Sequence, residues 1–559
     1  MKSQWITHYE KSGFTGSPRY DESMDFFKQF TVHTRFASMF PIGISPQGRS
    51  IECIVVAKGK EFTPEKAKKS GKAIVLIQNG IHAGEIEGKD SGMLLLRDIL
   101  ITKEKDYLLD HLILLIIPIL NVDGHERVSH FNRPNQNGPD EMGWRTNSWN
   151  LNLNRDYMKA DTPEIRAFLE LFTTWLPDFF IDNHTTNGAD YRYHITYALE
   201  RYGNIDSKLG KWGSEQFLPS VINSVEEKGF LSAPYIEMKE KTIESGIVDA
   251  PLPPRLSTGY TTVQNRLGLL VETHSLKPYE NRVSSTLAMN VAALEYLNKN
   301  FRTIKTLNAK ADTATLKMKS LPVAFELSEK CNPFQFKGFQ SFLEKSSITG
   351  NEVVRYSNIP SDFEIPLFND VQVTKIIRIP KAYVIPREFE HIAEILKQHG
   401  ISVKQLGTAR HMSVEQYQFD SAEFAKKPYE GRYCVKVACR VDSITRQFPK
   451  GTFIVPTRQR TLRVIVNLLE PEAPDSFASW GFFNAFFERK EYAEAYVMEP
   501  LAQKMLSSDE HLRKEFFEQL HDEDFRNDPD GRLDFFYQRS PYFDINENKY
   551  PIYRVTNTR

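Results

Sequence analysis

The run Ala73-Ile74-Val75-Leu76-Ile77, continued by Gln78-Asn79-Gly80-Ile81-His82-Ala83-Gly84-Glu85, decides the fold. Consecutive apolar residues closed by a Gly-containing turn read as a buried strand, and a strand with no polar face belongs to a sheet covered on both sides. His82 and Glu85 lie three positions apart, just past the carboxyl end of that strand. Open α/β sheets place their ligands there. An imidazole and a carboxylate at this spacing can reach one cation, and a third protein ligand would leave a position open for water, the pattern of a catalytic zinc site. His-x-x-Glu is common, so the reading depends on what other strands deliver to the same edge.

Working outward, Leu112–Leu120 is a second apolar strand, ending in the turn Asn121-Val122-Asp123-Gly124. Asp178–Asp182 is a third and runs directly into Asn183-His184; Gly268–Val271 is a fourth and delivers Glu272. Helical spacing covers Lys89–Leu100, Pro163–Trp175, with Pro in its first turn, and Ser207–Lys228. A strand pair, Phe36–Gly43 and Ser50–Ala57, flanks the turn Pro46-Gln47-Gly48. Strands alternating with helices over residues 40–300 predict an α/β domain whose mixed sheet is mainly parallel, with helices on both faces.

A chain of 559 residues is too long for one core. After about residue 300 the texture changes. Short alternating strands are expected over 310–380, then a helix at Glu388–His399, strands at Tyr433–Val441 and Phe453–Val455, and aromatic-rich helices from Leu462 onward. The expected division is a catalytic domain over 1–305 and a C-terminal α+β accessory region over 306–559, with the boundary in the Lys/Thr/Ala stretch near 300–318. The aromatics after 475 read as core of C-terminal helices.

The 71 basic and 72 acidic side chains give a net charge of −1, which argues against a nucleic-acid partner; the one short basic run, Lys66–Lys72, reads as a solvated surface. No apolar run approaches the length of a membrane span. The first ten residues do not form a signal peptide. Export with a leader removed is the expectation, secreted or periplasmic, with a cytoplasmic location left open. Cys53, Cys331, Cys434 and Cys439 form no metal-ligand pattern and read as free thiols.

Three strand ends therefore offer His82 with Glu85, His184, and Glu272. Between them stand Gly143-Trp144-Arg145 and Leu151-Asn152-Leu153-Asn154-Arg155-Asp156, with Arg145 nine positions before Asn154. A guanidinium beside an amide suits a fork that grips a carboxylate. Together these motifs resemble the M14 zinc carboxypeptidases. The resemblance covers about residues 40–300, while the region beyond is similar to the extra C-terminal part of large bacterial members. It implies a carboxypeptidase fold with one Zn2+ per chain held by His82, Glu85 and His184. It implies Glu272 as general base, Arg145 polarising the scissile carbonyl, and Asn154 with Arg155 clamping the free carboxyl terminus of a peptide or peptide-like substrate.

Nearby residues offer competing assignments. Arg133 stands close enough in sequence to take the place of Arg145, and Arg155 has Asp156 and Asp161 within reach. His194, in an alternating run, reads as structural. One departure from the family concerns its substrate-binding Tyr, about two dozen residues before the base. Here that neighbourhood reads Ile247-Val248-Asp249-Ala250-Pro251-Leu252-Pro253-Pro254, and the nearest candidate is Tyr260. The departure leaves room for a zinc-dependent deacylase or amidase acting on N-acyl amino acids or cell-wall peptides. A binding module without turnover is the third reading, against which the complete residue set argues. Oligomeric state is not readable.

Overall fold

The computed structural model describes residues 3–186 and 188–556. Its largest sheet has eight strands in the order Ala37–Ile44, Ser50–Val56, Leu112–Ile117, Ala73–Gln78, Phe179–Thr185, Leu267–Thr273, Ile195–Leu199 and Ser232–Pro234. The four strands from Leu112–Ile117 to Leu267–Thr273 run parallel. Antiparallel neighbours flank them on both sides. The central strands are apolar on both faces because both faces are covered. Ile74, Leu76, Ile113, Leu115 and Phe180 point into one hydrophobic core. Their alternates Val75, Ile77, Leu114, Ile116, Phe179 and Ile181 point into another.

The second core is closed by the helices Tyr20–His33, Glu87–Leu100, Tyr279–Lys299 and Phe301–Thr315. The first is closed partly by Pro163–Trp175, whose Thr162 hydroxyl accepts from the Ile165 N–H to cap its start. The rest of that face is covered by the C-terminal region: Tyr383, Ile392, Leu396, Val455, Ile465 and Leu468 join the same cluster as Leu76 and Phe180. Those residues come from a six-stranded sheet and from the helices Glu390–Gln398 and Leu462–Leu469. Lys549–Val555, near the end of the chain, lies inside that sheet between Ala382–Ile385 and Arg410–Phe424. A long hairpin, Asn332–Lys345 with Glu352–Phe368, reaches back to pair Leu367 and Phe368 with Ile247 and Val248.

Two expectations need correction. The division at 305/306 falls inside the helix Phe301–Thr315, where Ile304 and Ala311 pack into the second core and the Asn308 amide donates to the Asp178 carbonyl at 2.9 Å. The polar Lys/Thr/Ala spacing that looked like a linker is the solvent face of that helix, and the next strand begins at Ser320. The region 306–559 has hydrophobic clusters of its own, such as Met498, Leu512 and Phe535, and it also helps to bury the all-apolar first face of the large sheet. The short strands expected over 310–380 include two long ones, of 14 and 17 residues. Period-two alternation looks the same in a short strand and in a section of a long one.

A chain ended at residue 318 is predicted to be insoluble or to lack a cooperative thermal transition, since the first core would lose Tyr383, Leu396, Val455 and Leu468. A 1–318 fragment that melts cooperatively near the temperature of the full chain would overturn the shared-core account.

Candidate active site

The strand Ala73–Gln78 ends in a loop that carries His82 and Glu85 against a second loop carrying Gly143 and Arg145. The approach is backbone to backbone. A Cβ on Gly84 would stand 2.7 Å from the Gly143 carbonyl oxygen, and one on Gly143 would stand 2.4 Å from that of Ala83. Glycine at both positions is what lets the loops meet. The third strand, Phe179–Thr185, brings His184 alongside, with the two imidazole centroids 4.9 Å apart.

His82 Nδ1 lies 3.1 Å and His184 Nδ1 2.9 Å from Glu85 Oε2. One potential ligand atom from each of the three residues lies within 4.8 Å of the others, and all three side chains are buried. The outer edges of both rings are committed. His82 Nε2 lies 3.1 Å from Asn152 Oδ1, and His184 Nε2 lies 2.7 Å from Asp182 Oδ2. Both partners are acceptors, so each Nε2 carries the proton and each Nδ1 turns a lone pair inward. Two nitrogen lone pairs and a carboxylate thus face one another in a buried space, an arrangement relieved by a cation among them or by a proton on one ring. Two imidazoles and one carboxylate suit zinc and leave a fourth position open.

The protonation tendencies agree with that demand. Burial, with the Arg145 charge adding to it, outweighs the pull of Glu85 and pushes the His82 pKa down to about 3. Burial acts the same way on His184, but the Asp182 carboxylate, with hydrogen bonds to Asp182 and Glu85, overcomes it and holds that ring well above its ordinary value. Asp182 is itself fixed by the Gln78 amide at 2.9 Å and by the Ser257 hydroxyl.

Glu85 Oε1 receives Arg133 Nη2 at 2.7 Å and Arg145 Nη1 at 3.1 Å. The two arginines are not equivalent. Arg133 is 9% exposed and buried behind the loop, whereas Arg145 is 33% exposed and lines the cleft. Glu272, paired in register with His184 across neighbouring strands, lines the same cleft. Its carboxylate has no hydrogen-bond partner among the described residues, and burial, reinforced by the nearby charges of Glu85 and Asp182, pushes its pKa up to about 8. A buried carboxylate left without a partner in a cavity marks a functional position.

The cleft has a volume of about 410 Å³ and is also lined by Asn154, Arg155, Tyr235 and the wall Val248–Pro253. Asn154 Oδ1 accepts the Ser257 N–H at 2.8 Å. Arg155 pairs with neither nearby aspartate: Asp156 holds Lys159, and Asp161 holds Arg432 and Lys159. Its Nη1 donates to the Asn154 carbonyl at 2.7 Å and its Nε to the Tyr429 hydroxyl at 3.0 Å.

Tyr260 is the one predicted site residue that the structure places elsewhere. It is fully buried, its hydroxyl taken by Gln264 at 2.7 Å and His399 at 3.0 Å and its ring against Tyr157 and Phe172. Its helix, Ser257–Val263, turns it into the first core, away from the cleft. The tyrosine that does line the cleft is Tyr235, in a segment whose sequence carries no spacing signal. His194 is structural as expected, its Nδ1 accepting the Leu231 N–H at 3.1 Å. Asn152 and Asp182 were visible in sequence only as neighbours of motif residues.

Residues 24–203 match the model of the M14 peptidases, described as zinc carboxypeptidase. That segment, which carries His82, Glu85 and His184, is M14-like. Carboxypeptidase 2 of Trichophyton rubrum is 23% identical over 484 residues, spanning 84% of each chain. Carboxypeptidase 2 of Trichophyton equinum is 24% identical over the same length and shares. Alignments of that length extend well beyond residue 320, so the likeness to those relatives includes the C-terminal region. Among solved structures, a metallo-carboxypeptidase from Burkholderia cenocepacia is 18% identical, covering 50% of this chain and 70% of its own, with a TM-score of 0.37. These matches support hydrolysis of peptides at the carboxyl end, with zinc as the implied metal.

The cleft wall has a titrating anchor. Glu200 accepts the N–H groups of Leu252 and Tyr202 at 2.7 Å each, and burial pushes its pKa from 4.5 up to about 7. Below pH 4.5 it is neutral in both states; between 4.5 and 7 it ionises more readily when unfolded, so the native state loses stability as pH rises through that window. The melting temperature of the wild type minus that of Glu200→Gln is therefore predicted to fall between pH 4.5 and 7 and to level off above. A difference constant across the window would show that Glu200 ionises as freely in the fold as in water.

Proposed function

We propose that this chain releases single residues from the carboxyl end of peptides, with His82, Glu85 and His184 holding one zinc. The observation that carries the reading is the meeting of His82, Glu272, Arg145 and Arg155 around one cavity of about 410 Å³. When bound, zinc supplies Lewis acidity, polarising a carbonyl and lowering the pKa of a water from 15.7 to about 7.

The chain's own groups do the rest. Glu272, unpartnered and facing the cleft, takes the proton of the attacking water and returns it to the leaving amine, acting first as base and then as acid. Burial and the neighbouring carboxylates of Glu85 and Asp182 raise its pKa, the setting in which a carboxylate exchanges protons near neutral pH. Arg133 alone can hold Glu85, which leaves Arg145 able to donate to the carbonyl oxygen as it gains charge, a contribution of about 3 kcal/mol for one well-aimed donor. Arg155 and the Asn154 amide bind the free carboxylate and so place the last peptide bond, rather than an internal one, beside Glu272. Tyr235 replaces Tyr260 as the aromatic hydroxyl on the substrate side of the cleft.

Glu272→Gln is predicted to lower kcat by roughly 10² to 10⁴ while zinc content stays at one per chain. Arg155→Ala should lower kcat/KM on peptides with a free carboxyl terminus by about 10- to 100-fold. Mass spectrometry of a peptide library reads both, with N-acyl amino acids and C-terminally amidated peptides alongside. Cleavage of amidated peptides at the wild-type rate would remove Arg155 from its role, and turnover confined to N-acyl amino acids would replace the peptidase reading by the deacylase.

The orientation of His184 supplies a second test. Asp182→Asn exchanges an acceptor-only group for an amide and is predicted to weaken zinc binding by about 10- to 100-fold, measured by competition with a chromogenic chelator. Unchanged affinity would show that the Asp182 contact does not set the His184 ring.

A further inference from the structure

The hairpin between the strands Arg410–Phe424 and Val435–Phe448 ends in a smaller turn, Tyr429-Glu430-Gly431-Arg432, closed by two backbone hydrogen bonds of 2.9 and 3.1 Å between Tyr429 and Arg432. Both central residues have left-handed backbone, with φ of +49° at Glu430 and +76° at Gly431. Glycine takes that conformation freely; glutamate does so at a penalty, and such a residue persists where its surroundings hold it. Here the Glu430 carboxylate accepts the backbone N–H of Asn152 at 2.8 Å, and the neighbouring Tyr429 hydroxyl accepts from Arg155 Nε at 3.0 Å.

Each contact leads to one half of the active site. With its N–H held by Glu430, Asn152 directs one side-chain oxygen to two places: the Asn154 N–H at 3.0 Å and His82 Nε2 at 3.1 Å. Tyr429 fixes the guanidinium that faces the cleft. The turn is seated by contacts independent of these two. Arg432 makes a two-pronged ion pair with Asp161 at 2.7 and 2.8 Å and lies 3.8 Å over the Phe482 ring, and Tyr429 stacks on Trp480 at 5.9 Å and 11°. Removing either functional contact therefore leaves the turn in place.

We infer that this turn of the C-terminal region is a working part of the catalytic centre: Tyr429 positions Arg155 for the substrate carboxylate, and Glu430, through Asn152, positions His82. Both are positioning residues, since neither touches the reacting atoms. The inference rests on the proposed carboxypeptidase reading for Arg155 and His82. It gives the C-terminal region a catalytic task beyond covering the sheet, because without the turn neither the carboxylate clamp nor one side of the candidate metal site keeps its orientation.

Three variants in the full chain test it. Tyr429→Phe deletes one hydroxyl from a side chain that is 39% exposed and keeps the stack on Trp480. It is expected to raise KM for free-carboxylate peptides about tenfold with kcat within twofold of wild type. Glu430→Gly relieves the left-handed strain, so its melting temperature should equal or exceed that of wild type, while its zinc affinity, measured by chelator competition, falls about tenfold. Glu430→Gln retains an acceptor oxygen and should restore most of that affinity. A Tyr429→Phe enzyme with wild-type KM, or a Glu430→Gly protein with wild-type zinc affinity, would overturn the corresponding half. If the wild type releases no carboxyl-terminal residue, the peptidase reading fails on its own, and the zinc measurements still decide whether Glu430 acts on His82.

Discussion

Three electron-pair donors, two imidazole nitrogens and a carboxylate oxygen, are held together in a buried space where they repel one another unless positive charge stands between them. Much of the surrounding structure serves to maintain that crowding. Asn152 and Asp182 keep the two rings from turning their lone pairs outward, and Gln78 and Ser257 hold Asp182 in turn. Arg133 and Arg145 offset the Glu85 charge from the opposite oxygen. The glycine-to-glycine approach of two loops puts those arginines within reach. The orientation of these donors is built into the fold by its hydrogen bonds, which is a condition for a metal site to be both tight and open on one side.

The sheet explains why the chemistry stands where it does. Alternation along Phe179–Thr185 puts Phe180, Asp182 and His184 on one face, and register with Leu267–Thr273 puts Leu270 and Glu272 beside Asp182 and His184. Towards the strands' amino ends this face is apolar and packs on Tyr383, Leu396 and Leu468 of the C-terminal region. Towards their carboxyl ends the same face bears Asp182, His184 and Glu272. Core and cleft are two stretches of one surface, and the region that completes the core also touches Asn152 and Arg155 beside the cleft.

The central strands, the helix Pro163–Trp175 and the residues His82, Glu85, His184 and Glu272 were legible in the sequence because each belongs to a local pattern: an apolar run, a proline-led helix, a polar residue at a strand end; Arg145, Asn154 and Arg155 were singled out by the resemblance to the M14 enzymes. What was not legible depends on contacts between distant segments. Tyr260 stands at a plausible distance before Glu272, but helical periodicity and the packing of His399 against it, from a helix far along the chain, decide which way it points. Tyr235 reaches the cleft through strand pairing that no local spacing announces. The boundary near 305 was misplaced because a helix with one buried face of Ile304, Asn308 and Ala311 has, on its other face, the composition of a linker.

The two contributions of the C-terminal region act on different walls of the cleft. The Tyr429–Arg432 turn touches the loop that carries Asn152 and Arg155, while the long hairpin pairs its Leu367 and Phe368 with Ile247 and Val248, and the Phe368 carbonyl accepts the Asp249 N–H at 3.0 Å. The second wall is further pinned from inside the catalytic half by Glu200, through the Leu252 N–H. Loops rich in proline lack many of the N–H groups that would let them form secondary structure of their own, and Ala250-Pro251-Leu252-Pro253-Pro254 is such a loop. Its shape must come from outside, from a hairpin edge and one buried carboxylate. The strand ends therefore place the polar groups of the cleft, and the C-terminal region fixes how far apart Arg155 and the opposite wall stand. In this chain the width of the cleft follows from contacts made by both halves of the sequence.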